Sequence, residues 1–276
     1  MKIESYTHSV KVDNEDVFGV TEHGIFVMDG ASALEECHFT PEVNDVVWMV
    51  RWWQSYLMKY LDAMDRSLQD ILEQGVKAFN EAFSHYKPVN SLSKLEQVSS
   101  GLAVIRLHET FLECFVLGDV EISVQGKDGA MEILTDDRIK PLDEQVIELM
   151  NRNKDRVQSC VYKDFTQEEL TLLKKNRMKM NTEEGYYILS HDVMAISNGI
   201  YKVYQLDNLQ SCLLSSDGLS LLDRYYTRNS LIDEIKNRGV KSLVDELRNF
   251  ENEDTAMLVL KRLKSHDDAT AIYIEF

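Results

Sequence analysis

Proline and glycine are scarce: three and twelve in 276 residues, too few for a loop-dominated or disordered chain. Cysteine is scarce too, with Cys37, Cys114, Cys160 and Cys212 forming no Cys-x-x-Cys pair. That spacing argues against a disulfide framework or a zinc site. Cys114 and Cys212 lie inside apolar runs, and the set reads as buried free thiols. No stretch reaches the about eighteen consecutive apolar residues of a membrane span, and Met1 to Asp16 lacks the apolar centre of a secretory signal. A cytoplasmic protein with no membrane partner is the expectation. Basic residues are outnumbered, 30 Lys and Arg against 47 Asp and Glu, for a net charge of −17. Such a surface is a poor partner for nucleic acid, whose phosphates need a basic face, and suits basic partners or bound cations.

What is present is a packed-core composition, 44% hydrophobic, in alternating blocks. Val17 to Val20 and Gly24 to Met28 read as a hairpin, followed by a loop at Asp29-Gly30-Ala31-Ser32. Thr40-Pro41 reads as a helix start, and apolar residues from Val43 to Leu61 recur at three- and four-residue steps. A second helix is predicted from Ser67, with Gly75 inside it. From Gly101 to Leu134 four strands read as an antiparallel meander. Residues 141–180 switch to charged, helical spacing. Strands return at Tyr186 to Ser190, Tyr201 to Leu206 and Ser211 to Ser215. A helical stretch from Leu219 to Phe250 precedes a last strand, Ala269 to Phe276. Strands in clusters with helical pairs between them predict an α+β fold, two antiparallel sheets packed face to face with helices outside. With no repeat or linker, one domain over residues 1–276 is expected.

Four acidic motifs stand out: Asn14-Glu15-Asp16, Met28-Asp29-Gly30, Ser216-Asp217-Gly218 and Asp267-Asp268-Ala269-Thr270. Each alone is more often a turn or a helix cap. Three of them, however, adjoin short apolar strands, which deliver a carboxylate to a defined point. If they converge, the all-oxygen donors suit magnesium, manganese or calcium. Two divalent ions about 4 Å apart repel by roughly 16 kcal/mol at an effective dielectric near 20, so a shared carboxylate is needed. Asp29 is the candidate for that shared ligand. Glu15 and Asp16 could serve one ion, Asp217 and Asp267 the other.

These motifs, in this order, resemble the metal-dependent type 2C serine/threonine protein phosphatases, and most of all their compact bacterial branch. Lys11-Val-Asp-Asn-Glu15-Asp16 is similar to the first family motif and Phe26-Val-Met-Asp29-Gly30 to the second. Leu112 to Ser123, centred on Gly118-Asp119, is similar to the central segment. Leu213-Leu-Ser-Ser-Asp217-Gly218 and Asp267-Asp268-Ala-Thr270 are similar to the late motifs. The resemblance implies a four-layer α-β-β-α sandwich and two manganese or magnesium ions. Asp29 would bridge them and the Gly30 carbonyl would face one. Glu15 would serve the second ion, while Asp217 and Asp267 would complete the first. Asp119 matches a position that holds a third ion in some members. A hydroxide held between the ions would attack the phosphate of a serine or threonine in a phosphoprotein.

Two positions depart from the family pattern. Lys11 stands where an arginine usually clamps the substrate phosphate, and lysine lacks the bidentate fork. Ala31 stands where many members carry a histidine acid; His38, His191 and His266 are candidates to protonate a leaving group in its place. Residues 141–184 fall where the family varies. They carry Lys154, Arg156, Lys174, Lys175, Arg177 and Lys179, which read as a solvated face or as a guide for a phosphorylated substrate. Two other functions stay open: a catalytically weak regulatory binding module, and a phosphatase of small metabolites.

Overall fold

The computed structural model describes residues 1–153, the backbone of 160–162, and residues 165–257, 259 and 261–276. Among the described residues there are twelve strands and six α-helices. One sheet has the order β10-β5-β4-β3-β2 and the other β1-β12-β11-β6-β7, each antiparallel throughout. The first comprises β2 (Asp16–Val20), β3 (Gly24–Ala31), β4 (Ser99–Leu107), β5 (Phe111–Leu117) and β10 (Ile200–Gln205). The second comprises β1 (Lys2–His8), β6 (Glu121–Gly126), β7 (Met131–Leu134), β11 (Leu209–Ser215) and β12 (Ala269–Glu275).

Strand alternation divides the core into three seams. Ile25 and Val27 of β3 meet Cys212, Leu214, Ile272 and Ile274 between the sheets. Their neighbours Phe26 and Met28 face helices α1 (Asp45–Tyr60) and α2 (Leu68–Ser84), against Val50, Trp53, Leu57 and Phe79. On the far side Leu213, Ala271 and Tyr273 pack under α5 (Arg228–Arg238) and α6 (Val240–Glu253). This is the expected helix–sheet–sheet–helix layering.

Several expected boundaries shift. β3 does not stop at Met28 but runs through Asp29 and Gly30 to Ala31, paired with Ser99–Gly101. α1 starts at Asp45 and not at Thr40-Pro41. The Asp45 carboxylate accepts from the Phe39 and Thr40 N–H groups and the Thr40 hydroxyl, which folds that segment back, and Asn44 caps the helix through Val47 N–H at 2.7 Å. The meander breaks at Gly118, where the chain passes from β5 in one sheet to β6 in the other. Tyr186 to Ser190 makes only isolated bridges, Met180 with Tyr186 and Ser100 with Leu189. The stretch from Leu219 begins inside a 3-10 segment, Asp217–Arg224, and splits into α5 and α6 at Gly239. Among the described residues of 141–184 are α3 (Lys140–Arg152), the antiparallel pair β8 (Cys160–Tyr162) and β9 (Phe165–Thr166), and α4 (Gln167–Arg177). β1 was not expected at all.

Candidate metal centre

Period-two geometry aims the acidic residues. Counting on from Ile25 and Val27, Asp29 falls on the inter-sheet face of β3. Counting back from Val20 and Phe18, Asp16 falls on the same face of β2, directly opposite Asp29 in the ladder. In β12 the inward positions Ile274, Ile272 and Thr270 lead back to Asp268. Cys212 and Leu214 of β11 lead to Ser216, after which Asp217 opens the 3-10 segment. The carboxylates therefore gather at one end of the seam between the sheets.

Two glycines permit the gathering. A Cβ on Gly218 would stand 2.0 Å from the Asp268 carbonyl oxygen, so only glycine lets the Asp217 and Asp267-Asp268 segments touch. Gly118 takes a φ of 85°, the left-handed turn that brings Asp119 in as the chain changes sheets. Hydrogen bonds tie the sheets together here. Asp217 N–H donates to Asp29 Oδ2 at 3.2 Å and Glu15 N–H to Asp268 Oδ2 at 2.8 Å. Within the first sheet, Gly30 N–H donates to the Glu15 carbonyl at 3.1 Å.

The electrostatics are those of negative charge without enough compensation. Burial pushes Asp16 up to about 8, with Asp268 and Asp267 adding to it; the Ser216 and Thr270 hydroxyls face it and ease the cost. Neither reaches hydrogen-bond geometry, so both Asp16 carboxylate oxygens are buried without a partner, as is Asp268 Oδ1. Asp29 is held well above the usual carboxylate range by burial and then by Asp217, Asp16, Asp267 and Asp119. Burial and Asp217 take Asp119 to about 8, and burial and Asp267 raise Asp217. Buried carboxylates of this kind call for a cation, and an all-oxygen donor set fits a hard divalent one. Among the described residues no three His, Cys, Asp or Glu side chains already stand around a single point as a closed cage, which accords with their mutual repulsion. The donor chemistry fits such an ion; the cage itself would have to draw in.

Of the residues expected here, Asp16, Asp29, Asp119, Asp217 and Asp267 face one another. Glu15 points the other way from Asp16, as alternation requires. Its Oε2 accepts from Lys11 Nζ at 3.1 Å, and its Oε1 accepts from Ser32 Oγ at 2.9 Å and Asn44 Nδ2 at 3.4 Å. Lys11, the expected phosphate clamp, thus lies on Glu15, with Asp268 3.9 Å away. His191 is buried and bonded to Asn80, away from the acids. His38 meets the Glu42 carbonyl and His266 meets Asn252. Arg177 donates to the carbonyls of Gln97 and Ser32, and Lys174 pairs with Glu35, so both act as straps for the insert. Lys154 and Arg156 lie outside the described residues.

Two members of the cluster were not anticipated. Asp143, in the first turn of α3, is raised to about 7 by burial and Asp217, against the pull of Lys264 and Arg177. Beside Pro141 it reads as an ordinary helix-start acid, so its sequence gives no sign of this role. Lys264 donates to Asp267 Oδ1 at 2.8 Å. Its neighbours cover part of it, which works against its charge, but although its side chain stays 44% exposed, Asp267, Asp217 and Asp29 outweigh that and hold it above the usual lysine range.

No curated protein matches the chain in sequence. Solved structures do match in fold. The serine/threonine phosphatase Stp1 from Staphylococcus aureus aligns with a TM-score of 0.57 at 14% identity, covering 100% of this chain and 94% of that one. The serine/threonine phosphatase PstP/Ppp of Mycobacterium tuberculosis gives 0.57 at 15%, covering 100% and 98%. A PstP catalytic domain in complex with two manganese ions gives 0.55 at 16%, covering 99% and 97%. A family model described as Protein phosphatase 2C matches residues 9–264. With the match running almost from end to end, the chain belongs to the protein phosphatase 2C family.

Proposed function

We propose that the carboxylate cluster around Asp29 is the catalytic metal centre of this protein serine/threonine phosphatase. The observation that carries the reading is the convergence of Asp16, Asp29, Asp119 and Asp217 from four separate segments, each raised by its acidic neighbours, with both Asp16 oxygens buried and unpartnered. The family depends on divalent metal; manganese or magnesium, two ions with Asp119 serving a third, is the assignment we make for this chain. Asp29 sits centrally and would be shared. Asp217 and Asp267 would hold one side, Asp16 and the Gly30 carbonyl the other, with Glu15 at its rim.

Bound there, divalent ions would supply the Lewis acidity and the positive charge for in-line displacement at phosphorus. The chain's own groups do the rest. The sandwich walls keep water from the Asp16 carboxylate. Lys11, its side chain 41% exposed, offers an ammonium at the rim as a point charge for the phosphate, without the orienting fork of an arginine. Ala31, directly after Gly30, offers no acid for the leaving alkoxide. We further propose that residues 1–276 form a single domain, acting on phosphoproteins in cytoplasmic signalling. Among the described residues no helix is long and apolar enough to cross a membrane.

Hydrolysis of p-nitrophenyl phosphate and of phosphoserine and phosphothreonine peptides, with manganese and with magnesium, is the test. Metal-dependent turnover that falls roughly a hundredfold or more in Asp29→Asn is expected, the scale of losing one major electrostatic stabiliser. Equal turnover by the two proteins would remove the assignment.

A further inference from the structure

A lysine at the edge of a cation site has a cost, and Lys264 is held there by the segment that carries it. The segment between α6 and β12 carries it. Arg262 holds that segment from within, donating to the Ser265 carbonyl at 2.9 Å and the Asp254 carbonyl at 2.8 Å. Arg248, buried on α6, holds its far end, donating to the Asp267 carbonyl at 2.7 Å and the His8 carbonyl at 3.0 Å. Between these two anchors Lys264 Nζ meets Asp267 Oδ1 at 2.8 Å, the oxygen that also accepts Asp268 N–H at 3.0 Å. Asp217 and Asp29 face the same ammonium.

We infer that Lys264 is a tethered counter-cation of the acid centre, and that its fixed positive charge opposes divalent-metal binding and sets the metal concentration the site requires. The inference rests on the metal-centre reading above and adds to it the residue that tunes affinity. A single positive charge and a divalent ion beside the same carboxylate repel one another, whether or not they share an oxygen. Lys264 also offsets part of the carboxylate repulsion that the fold must otherwise bear. Removing it should therefore act in opposite directions on metal affinity and on metal-free stability. Its side chain remains 44% exposed, so solvent screens the effect to a moderate size. An ordinary surface lysine would move neither quantity.

The experiment is calorimetric titration of manganese chloride into the wild type, Lys264→Met and Lys264→Arg at fixed ionic strength, with melting curves in chelator. Lys241→Met, which removes an equally charged surface lysine paired with Asp245 on α6, controls for net charge. Expected is roughly fivefold tighter manganese binding by Lys264→Met, the scale of a screened charge pair, with a lower melting temperature in chelator. Lys264→Arg and Lys241→Met should keep wild-type affinity. Unchanged or weaker binding by a folded Lys264→Met overturns this inference and leaves the metal centre standing. No manganese binding by any of the four proteins overturns both.

Discussion

His191 shows how a histidine that looks available by sequence is spoken for by packing. Its ring lies between Phe79 and Phe83, with centroids 5.0 and 4.9 Å away. Nδ1 and Asn80 Oδ1 are 2.7 Å apart, while Nε2 is buried without a partner. A proton on Nε2 would place a charge among apolar rings, and burial lowers the group from 6.5 to about 4. The unfolded chain therefore binds the proton more readily than the folded one. The neutral ring contributes stability that is fully present above about pH 6.5 and drains away as pH falls through 4, about 3 kcal/mol in all. His191→Gln keeps a donor for Asn80 and removes the titration. Urea midpoints at pH 7 and pH 4.5 should fall further for the wild type than for the variant; parallel falls would refute the assignment. At the same scale Asp29 has the opposite character: its burial among like charges opposes folding and makes sense only as function. The residue-level motifs around it were legible because most of them end or adjoin an apolar strand. Lys264 and Asp143 were not, since nothing periodic in the sequence says where a loop lysine or a helix-start acid will point.

Among the elements, α1 and α2 make a case in which two ordinary effects compete. Gly75 lies mid-helix in α2, where replacing it by alanine gains about 1 kcal/mol of helix propensity. Yet a Cβ there would stand 2.5 Å from the Trp53 ring and 2.9 Å from the Tyr56 ring, and Trp53 is fully buried. Overpacking of a filled core costs about 1–3 kcal/mol, so packing should win. Gly75→Ala is expected to lower the urea unfolding free energy by about 1 kcal/mol, and a gain would show that the helices can spread. The glycine that weakens the helical pattern is thus the contact that lets α1 and α2 close. Elements with one dominant period were readable: α2, the β2–β3 hairpin, β4, β5, β11 and β12. β1 was hidden because Lys2-Ile-Glu-Ser-Tyr-Thr-His8 is a polar edge strand whose pairing with β12 creates it. Tyr186 to Ser190 erred the other way: Tyr186 and Ile188 pack against Leu142 and Met180, and Tyr187 and Leu189 against the core under α1 and α2, instead of joining a ladder.

Across the whole molecule, the acid centre is the place where the two sheets are held together by groups that repel. Asp16 and Asp29 belong to one sheet, Asp217 and Asp267 follow or precede strands of the other, and Asp119 sits on the crossing between them. Elsewhere the seam is apolar and self-sufficient. At this end its stability depends on a cation, because among the described residues the raised carboxylates are offset by little beyond Lys264 and, at Asp143, Arg177. A divalent ion that binds the folded chain alone stabilises it by mass action, about 2.7 kcal/mol at a hundred times its dissociation constant. For a chain of this size that corresponds to a rise in melting temperature of roughly 5–10 °C. Manganese should therefore raise the wild-type melting temperature in a saturable way. Asp29→Asn should start higher in chelator, having lost one buried charge, and respond little to the metal. The net charge of −17 means that any added salt will also relieve repulsion, so the comparison must be made at matched ionic strength. A rise of equal size in both proteins would mean that the ion acts on the acidic surface as a whole and not at the junction of the sheets.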